Sequence, residues 1–206
     1  MNDCRPASQK SRARLVGPLI VTGLTLVAMG GCQQQRQERA MTQRDQASET
    51  TLETATFAAG CFWGIEQKFR AVQGVIEAEV GYTGGAVKNP TYKQVCGGTT
   101  GHAEAVRVRF DPRVVSYEQL LDVFWASHDP TTLNRQGPDV GTQYRSVIFV
   151  HGDAQKAAAV KSKQAHQSKF GGKIVTEIVT SETFWRAEEY HQQYLQKRGG
   201  GSCKPG

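Results

Sequence analysis

Apolar residues recur every second position in some stretches of the chain and every third or fourth in others, and the alternation sets the expected elements. Thr54 to Ala59 is a short β-favouring run stopped by Gly60. From there Phe62, Ile65, Phe69 and Val72 fall on one helix face, so a strand turns directly into a helix around Gly60-Cys61. Val75 to Tyr82 places Ile76, Ala78, Val80 and Tyr82 on one side and Glu77 and Glu79 on the other, the period of a half-buried strand. A glycine-rich loop follows, and Ala103 to Phe110 alternates again. Ser116 and Gln119 make a capping box for a helix carrying Leu120, Leu121 and Phe124, which Asp129-Pro130 ends. A long polar loop then runs to Tyr144. Beyond it the pattern predicts a strand from Arg145 to Val150, a helix from Asp153 to about Lys169, a strand from Ile174 to Val179 and a last helix from Ala187 to about Arg198. The order opens β-α-β-β-α-β, which predicts an α+β fold: a mixed or antiparallel sheet with packed helices, in a ferredoxin-like split βαβ two-layer sandwich.

One apolar run has neither period. Leu15 to Met29 carries no charge, follows Arg5, Lys10, Arg12 and Arg14, and ends at Gly30-Gly31-Cys32. A spanning helix needs roughly 20 apolar residues, so the shorter run with its basic flank reads as a secretory signal over residues 1–31. It resembles a bacterial lipoprotein signal, in which the cysteine, here Cys32, is acylated and becomes the mature N-terminus. An uncleaved N-terminal anchor helix is the other reading. Both export the remaining chain to the cell envelope, the periplasm, and the first anchors it by lipid. Residues 32–53 are polar and lack aromatic side chains, which makes them a tether. Residues 54–198 form the folded domain, and 199–206, GGGSCKPG, have nothing to pack and are expected to be a flexible tail.

Composition changes this picture little. A chain of 206 residues suits one domain with appendages. The net charge of +6 has about half its excess in the signal, so no nucleic-acid footprint is indicated. A monomer without a cofactor is expected.

The cysteines carry the candidate chemistry. Five is an odd count and does not describe a disulfide framework. Cys4 would leave with the signal, and Cys96, just after Val95, reads as a half-buried structural thiol. Cys61 precedes the first turn of a helix, where unpaired N–H groups and the helix dipole stabilise a thiolate and make it a nucleophile. A buried structural cysteine at a strand end is the alternative. The adjacent Phe62 and Trp63 belong either to the core or to the walls of a small apolar pocket. In Ala103–Phe110, parity puts Glu104 with Val106, Val108 and Phe110, opposite Arg107 and Arg109. A carboxyl group on that apolar face favours its protonated form and can serve as a proton donor. A register slip would make it an ordinary surface acid.

The string Gly60-Cys61-Phe62-Trp63-Gly64 with Ile65-Glu66 is followed by Gly81-Tyr82-Thr83-Gly84-Gly85 and Thr100-Gly101-His102-Ala103-Glu104. After these come His128-Asp129-Pro130-Thr131, Gln136-Gly137-Pro138-Asp139, Gly141-Thr142-Gln143-Tyr144-Arg145-Ser146 and Val175-Thr176-Glu177-Ile178. Together, from about Thr54 to Tyr194, they resemble the peptide methionine sulfoxide reductase A family. The resemblance implies that Cys61 attacks the sulfur of the S epimer of methionine sulfoxide while Glu104 supplies a proton to its oxygen. It implies further that Tyr92 and Tyr144 hydrogen-bond that oxygen, that Asp139 helps to organise the site, and that Phe62 and Trp63 receive the S-methyl group. Loss of methionine leaves a sulfenic acid on Cys61, which condenses with a second thiol. Cys203, beside Gly199, Gly200 and Gly201, suits that role, and thioredoxin or a thioredoxin-like envelope protein would reduce the resulting disulfide. The expected partners are therefore oxidised proteins or peptides containing methionine sulfoxide and that reductant, with the membrane engaged only through Cys32. No zinc-type CxxC pair occurs that would indicate the companion R-specific domain. Two other classes remain open, a thiol peroxidase and a lipid-tethered binding protein without catalysis.

Overall fold

The computed structural model describes residues 51–199. The expected signal, most of the tether, Cys32 and Cys203 lie outside them. The elements are β1 (Glu53–Ala59), α1 (Phe62–Arg70), β2 (Val75–Thr83), α2 (Tyr92–Cys96), β3 (Ala103–Phe110) and α3 (Tyr117–Ser127). A short ribbon, β4 (Arg135–Gln136) and β5 (Asp139–Val140), precedes a 3-10 turn at Thr142–Tyr144. Next come β6 (Ser146–Val150), α4 (Asp153–His166), β7 (Glu177–Thr180), β8 (Trp185–Arg186) and α5 (Tyr194–Lys197).

Six strands form one sheet in the order β7-β6-β1-β3-β2-β8. Its central four, β6-β1-β3-β2, are antiparallel neighbours. With α1 and α3 as the crossovers, this is the split βαβ sandwich that the element order predicts. β7 joins β6 in parallel and makes the sheet mixed. The even positions of β3 face the helices, and Val106, Val108 and Phe110 enter the main core with Phe62, Ile65 and Phe69 of α1 and Leu120, Leu121 and Phe124 of α3. Phe57 of β1 lies at its centre, its ring 4.9 Å from Phe69 and 5.5 Å from Phe124. The odd positions Ala103 and Ala105 belong to a smaller cluster with Ala58, Val147 and Phe149.

His128, in the segment ending α3, has a structural place. Its Nδ1–H donates to Phe124 O, and Nε2 accepts from Ser146 Oγ at 2.7 Å, which ties the helix end to β6. Burial lowers its pKa to about 4 and keeps the ring neutral.

Several expectations are corrected. Ile76 is not a core residue: β2 bulges between Val75 and Glu77, leaving Ile76 62% exposed. The extra residue lets Glu77 and Glu79 stand opposite Arg109 and Arg107, with which they form ion pairs. The glycine-rich loop contains α2, started by a capping box of Thr91 and Gln94. The helix from Asp153 becomes a 3-10 turn at Gln167, and the strand expected from Ile174 begins only at Glu177.

The largest correction is the last helix. Ala187–Arg198 is a strap with one 3-10 turn, Glu189–His191, before α5. The Gln192 side chain accepts from Val80 N–H and donates to the carbonyls of Val80 and Ala187, completing the edge of β2. Gln193 takes a left-handed backbone, φ 54°, and its N–H donates to both carboxylate oxygens of buried Glu66, at 2.9 and 2.8 Å. Hydrogen bonds to distant elements have displaced the i to i−4 pattern that the spacing favours.

Candidate active site

The chain reverses from β1 into α1 over Gly60, whose φ is +90° and above which a Cβ would lie only 2.6 Å from Gln136 Cγ. Glycine is needed there for both reasons. Cys61 follows as the N-cap of α1, its side chain making no capping bond. The nucleophile candidate thus stands at the positive end of a helix, as the sequence places it. The next N–H, that of Phe62, donates to Oε2 of Glu104 at 3.1 Å. Glu104 is 2% exposed, on the core face that parity assigns it, and pairs in register with Tyr82 across β2 and β3. Phe62 and Glu104, 42 residues apart in sequence, therefore meet at one helix terminus.

Around this pair the fold collects the phenols. Tyr92 is the first residue of α2, and Tyr144 closes the 3-10 turn behind the β4–β5 ribbon. The pKa of Tyr92 is raised by burial first, then by a hydrogen bond with the Cys96 thiol and by the neighbouring charge of Glu104. Tyr144 is raised by burial and then by Glu104, Cys96, Asp139 and Cys61. Both remain O–H donors at neutral pH, and the charges of Glu104, Cys96, Asp139 and Cys61 all act on Tyr144. His102, from the same motif as Glu104, is a pin instead: its Nδ1 accepts from Gly85 N–H and its Nε2–H donates to Val87 O.

Cys96 departs from expectation. It is an exposed residue at the end of α2 rather than a half-buried structural thiol, and its sulfur lies against the Tyr92 phenol. Desolvation of that sulfur raises its pKa, against the opposing Tyr92 hydrogen bond. A five-residue helix, Tyr92–Cys96, carries both groups, and the charge of Glu104 acts on each.

The aromatic walls rest on the strap. Phe62 is buried and Trp63 half-buried, with ring centroids 6.2 Å apart. Tyr194 stacks on Trp63 at 3.9 Å. The carboxylate of Glu188 accepts from Tyr82 O–H and from Tyr92 N–H, both at 2.9 Å, fixing the start of α2. Burial pushes the Glu188 pKa up, but these hydrogen bonds outweigh it and hold the group below the usual carboxylate range. Sequence reading missed Glu188, His191 and Tyr194, because the spacing there predicts a plain helix and the partners of these side chains lie far away in the chain. A histidine and two tyrosines in an otherwise charged segment were the available signal. Cys203 and Cys32 fall outside the described residues.

The arrangement suits thiol attack on a small polar acceptor: a sulfur at a helix N-terminus, a buried carboxyl group and two phenolic donors beside it, and aromatic rings for an apolar substituent. Comparison with known proteins agrees. The sequence model of the family described as peptide methionine sulfoxide reductase matches residues 53–205. The peptide methionine sulfoxide reductase MsrA of Methanoculleus marisnigri is 62% identical over 160 residues, 77% of this chain and 98% of the relative. Among solved structures, reduced Mxr1 from Saccharomyces cerevisiae is 42% identical with a TM-score of 0.72, covering 77% of this chain and 92% of that one. Mxr1 in complex with Trx2 is also similar, at 29% identity and a TM-score of 0.52, covering 71% and 87%.

Proposed function

We infer the following cycle from the premise that the chain belongs to the peptide methionine sulfoxide reductase family. The protein is an oxidoreductase that returns methionine sulfoxide in peptides and proteins to methionine, and a thioredoxin recycles it. Cys61 attacks the sulfoxide sulfur of the S epimer. Glu104 delivers a proton to the sulfoxide oxygen while the Tyr92 and Tyr144 hydroxyls donate to it, with Asp139 ordering that side, and the resulting hydroxyl passes from the methionine sulfur to Cys61 Sγ as the bond between the two sulfurs breaks. Methionine leaves, and the oxygen stays on Cys61 as a sulfenic acid. The Cys203 thiol condenses with it, releasing water and forming a Cys61–Cys203 disulfide, which the thioredoxin dithiol then reduces. Phe62 and Trp63 wall the space for the S-methyl group.

The observation that carries this reading is the hydrogen bond from Phe62 N–H to Glu104, which fixes a buried carboxyl group beside the capping thiol. A peroxidase would have no use for the aromatic walls. The test is single turnover without reductant on each dabsylated epimer. The expected result is one methionine from the S epimer, none from the R epimer or from Cys61→Ser, and a Cys61–Cys203 bridge on peptide mapping. A bridge to Cys96 with a reduced Cys203 would overturn the resolving step.

The protein acts in the cell envelope, tethered by a lipid on Cys32. The basic start, the uncharged run from Leu15 and the Gly30-Gly31-Cys32 triplet support this. Mass spectrometry of the mature N-terminus checks it, and an unmodified Cys32 sinks it.

A further inference from the structure

We propose that the outer face of α4 and the turn after it dock on an anionic phospholipid surface, as a second contact beside the anchor at Cys32. The proposal takes from the envelope placement above only that a bilayer lies within reach of the domain. The charge of the domain is unevenly spread. Residues 54–198 hold seventeen lysines and arginines against fourteen acids, a net excess of three. Residues 153–173 alone hold five lysines against one acid, Asp153, an excess of four, so the rest of the domain is slightly acidic.

The fold turns this run into a face. Helix α4 packs inward through buried Ala159 and through Ser162, whose Oγ accepts from Trp125 Nε1–H at 2.8 Å. At 3.6 residues per turn, Lys156, Val160 and Lys161 fall away from those positions, and all three are exposed. Past the helix, Lys169 in the 3-10 turn Gln167–Phe170 and Lys173 behind the left-handed Gly171-Gly172 are exposed as well. Lys163 is occupied, its Nζ donating to Thr176 O at 2.7 Å. The other four lysines form no ion pair with another described residue. Asp153 sits in the first turn, where it complements the positive end of the helix, and Glu177 of β7 is the acid on the neighbouring edge strand.

Two placements select a membrane as the partner. The Gln155 amide donates to Thr54 O at 2.8 Å, so α4 begins beside the point where residues 32–53 lead into β1. The helix packs on β6 and β7, at the end of the sheet away from β2 and β3, which carry Tyr82 and Glu104. A domain docked through α4 therefore keeps Cys61 open to its substrate. Each lysine near an anionic bilayer strengthens binding roughly fivefold, and the attraction fades within a Debye length, about 10 Å at 0.1 M salt. Four lysines on one face suffice to orient a domain that a tether already holds near lipid. Nucleic acid would meet the same charge, but the outer face of α4 offers Val160 and no aromatic ring on which bases could stack.

The test reads lysine acetylation by mass spectrometry in the full-length protein with vesicles in excess, made of phosphatidylcholine alone or mixed with phosphatidylglycerol. Lys156, Lys161, Lys169 and Lys173 should react at least about fivefold more slowly on the phosphatidylglycerol vesicles at low salt, and the difference should vanish at high salt. Exposed Lys88 and Lys93 should not change. Equal rates on the two vesicles, or slowing shared by all these lysines, overturns the proposal. Equal protection by a DNA duplex at matched phosphate concentration does so too, since the face would then be a general polyanion surface. Joint replacement Lys156→Gln and Lys161→Gln, both at exposed positions, should leave the melting temperature unchanged and weaken the protection of Lys169 and Lys173. Unchanged protection in that variant places the contact elsewhere. The Cys32 peptide in the same digest reports the lipid separately: an unmodified Cys32 removes the anchor and leaves the footprint on α4 to stand or fall by itself.

Discussion

Helix α1 delivers Cys61, Phe62 and Trp63 from consecutive residues of one regular element, whereas the strap Ala187–Arg198 delivers Glu188, His191 and Tyr194 from a segment with little regular structure. The first is held by its own backbone ladder and by an apolar face in the core. The second is held by polar side chains reaching to β2, α1 and α2. The thiol and both aromatic walls thus come from the regular element, and Trp63 is backed by the one that hydrogen bonds fasten down. Placement of the thiol and anchoring of the strap are separate properties and should fail separately.

The largest effect should come from the rigid side. Glu104→Gln retains an oxygen for the Phe62 N–H but removes the proton donor, so single-turnover reduction should slow by roughly 10²–10⁴-fold with the melting temperature little changed. Rapid-quench measurement of methionine formation checks this, and a wild-type rate would transfer the proton to a tyrosine or water.

On the strap side, the loss should fall on stability. Glu66→Ala leaves the Gln193 N–H without its acceptor, at a cost of about 1–3 kcal/mol, or roughly 5 °C in melting temperature. Glu66 also makes a pH signature. Burial, opposed by the Gln193 hydrogen bond, raises its pKa above the ordinary 4.5. The folded state then binds the proton more tightly than the unfolded chain, so this group's contribution to stability is full below about pH 4.5 and is lost as pH rises through the folded value. Glu66→Gln cannot titrate. Its stability relative to wild type should therefore climb with pH from about 4.5 upward and then level off. A difference that stays flat in denaturant melts across that range would show that the strap does not depend on this proton.

The smallest effect tests the bulge. Ile76→Thr should change stability by no more than about 0.5 kcal/mol, as for an exposed site. A loss of about 2 kcal/mol would mean the side chain packs as strict alternation predicts.

Period and punctuation were enough to place the start of α1 behind Gly60, to put Glu104 on the core face of β3, and to lay out the β-α-β-β-α-β order. Each depends on neighbours within a few residues: which face is apolar, where a glycine permits a turn, which polar side chain caps a helix. The capping box at Thr91 and Gln94 was legible in the same terms and was overlooked inside a glycine-rich stretch. The motifs, read by resemblance, supplied Tyr92, Tyr144 and Asp139, for which spacing gave no reason. The strap was beyond the reach of either. Its residues have an acceptable helical pattern, and what defeats the helix is a set of partners far away in the chain: Tyr82 lies 106 residues from Glu188, Glu66 lies 127 from Gln193, and Trp63 lies 128 from His191. Local sequence encodes which side of an element is buried; only the closed tertiary structure decides which buried polar groups meet, because a hydrogen bond forms wherever the packed chain brings donor and acceptor within about 3 Å.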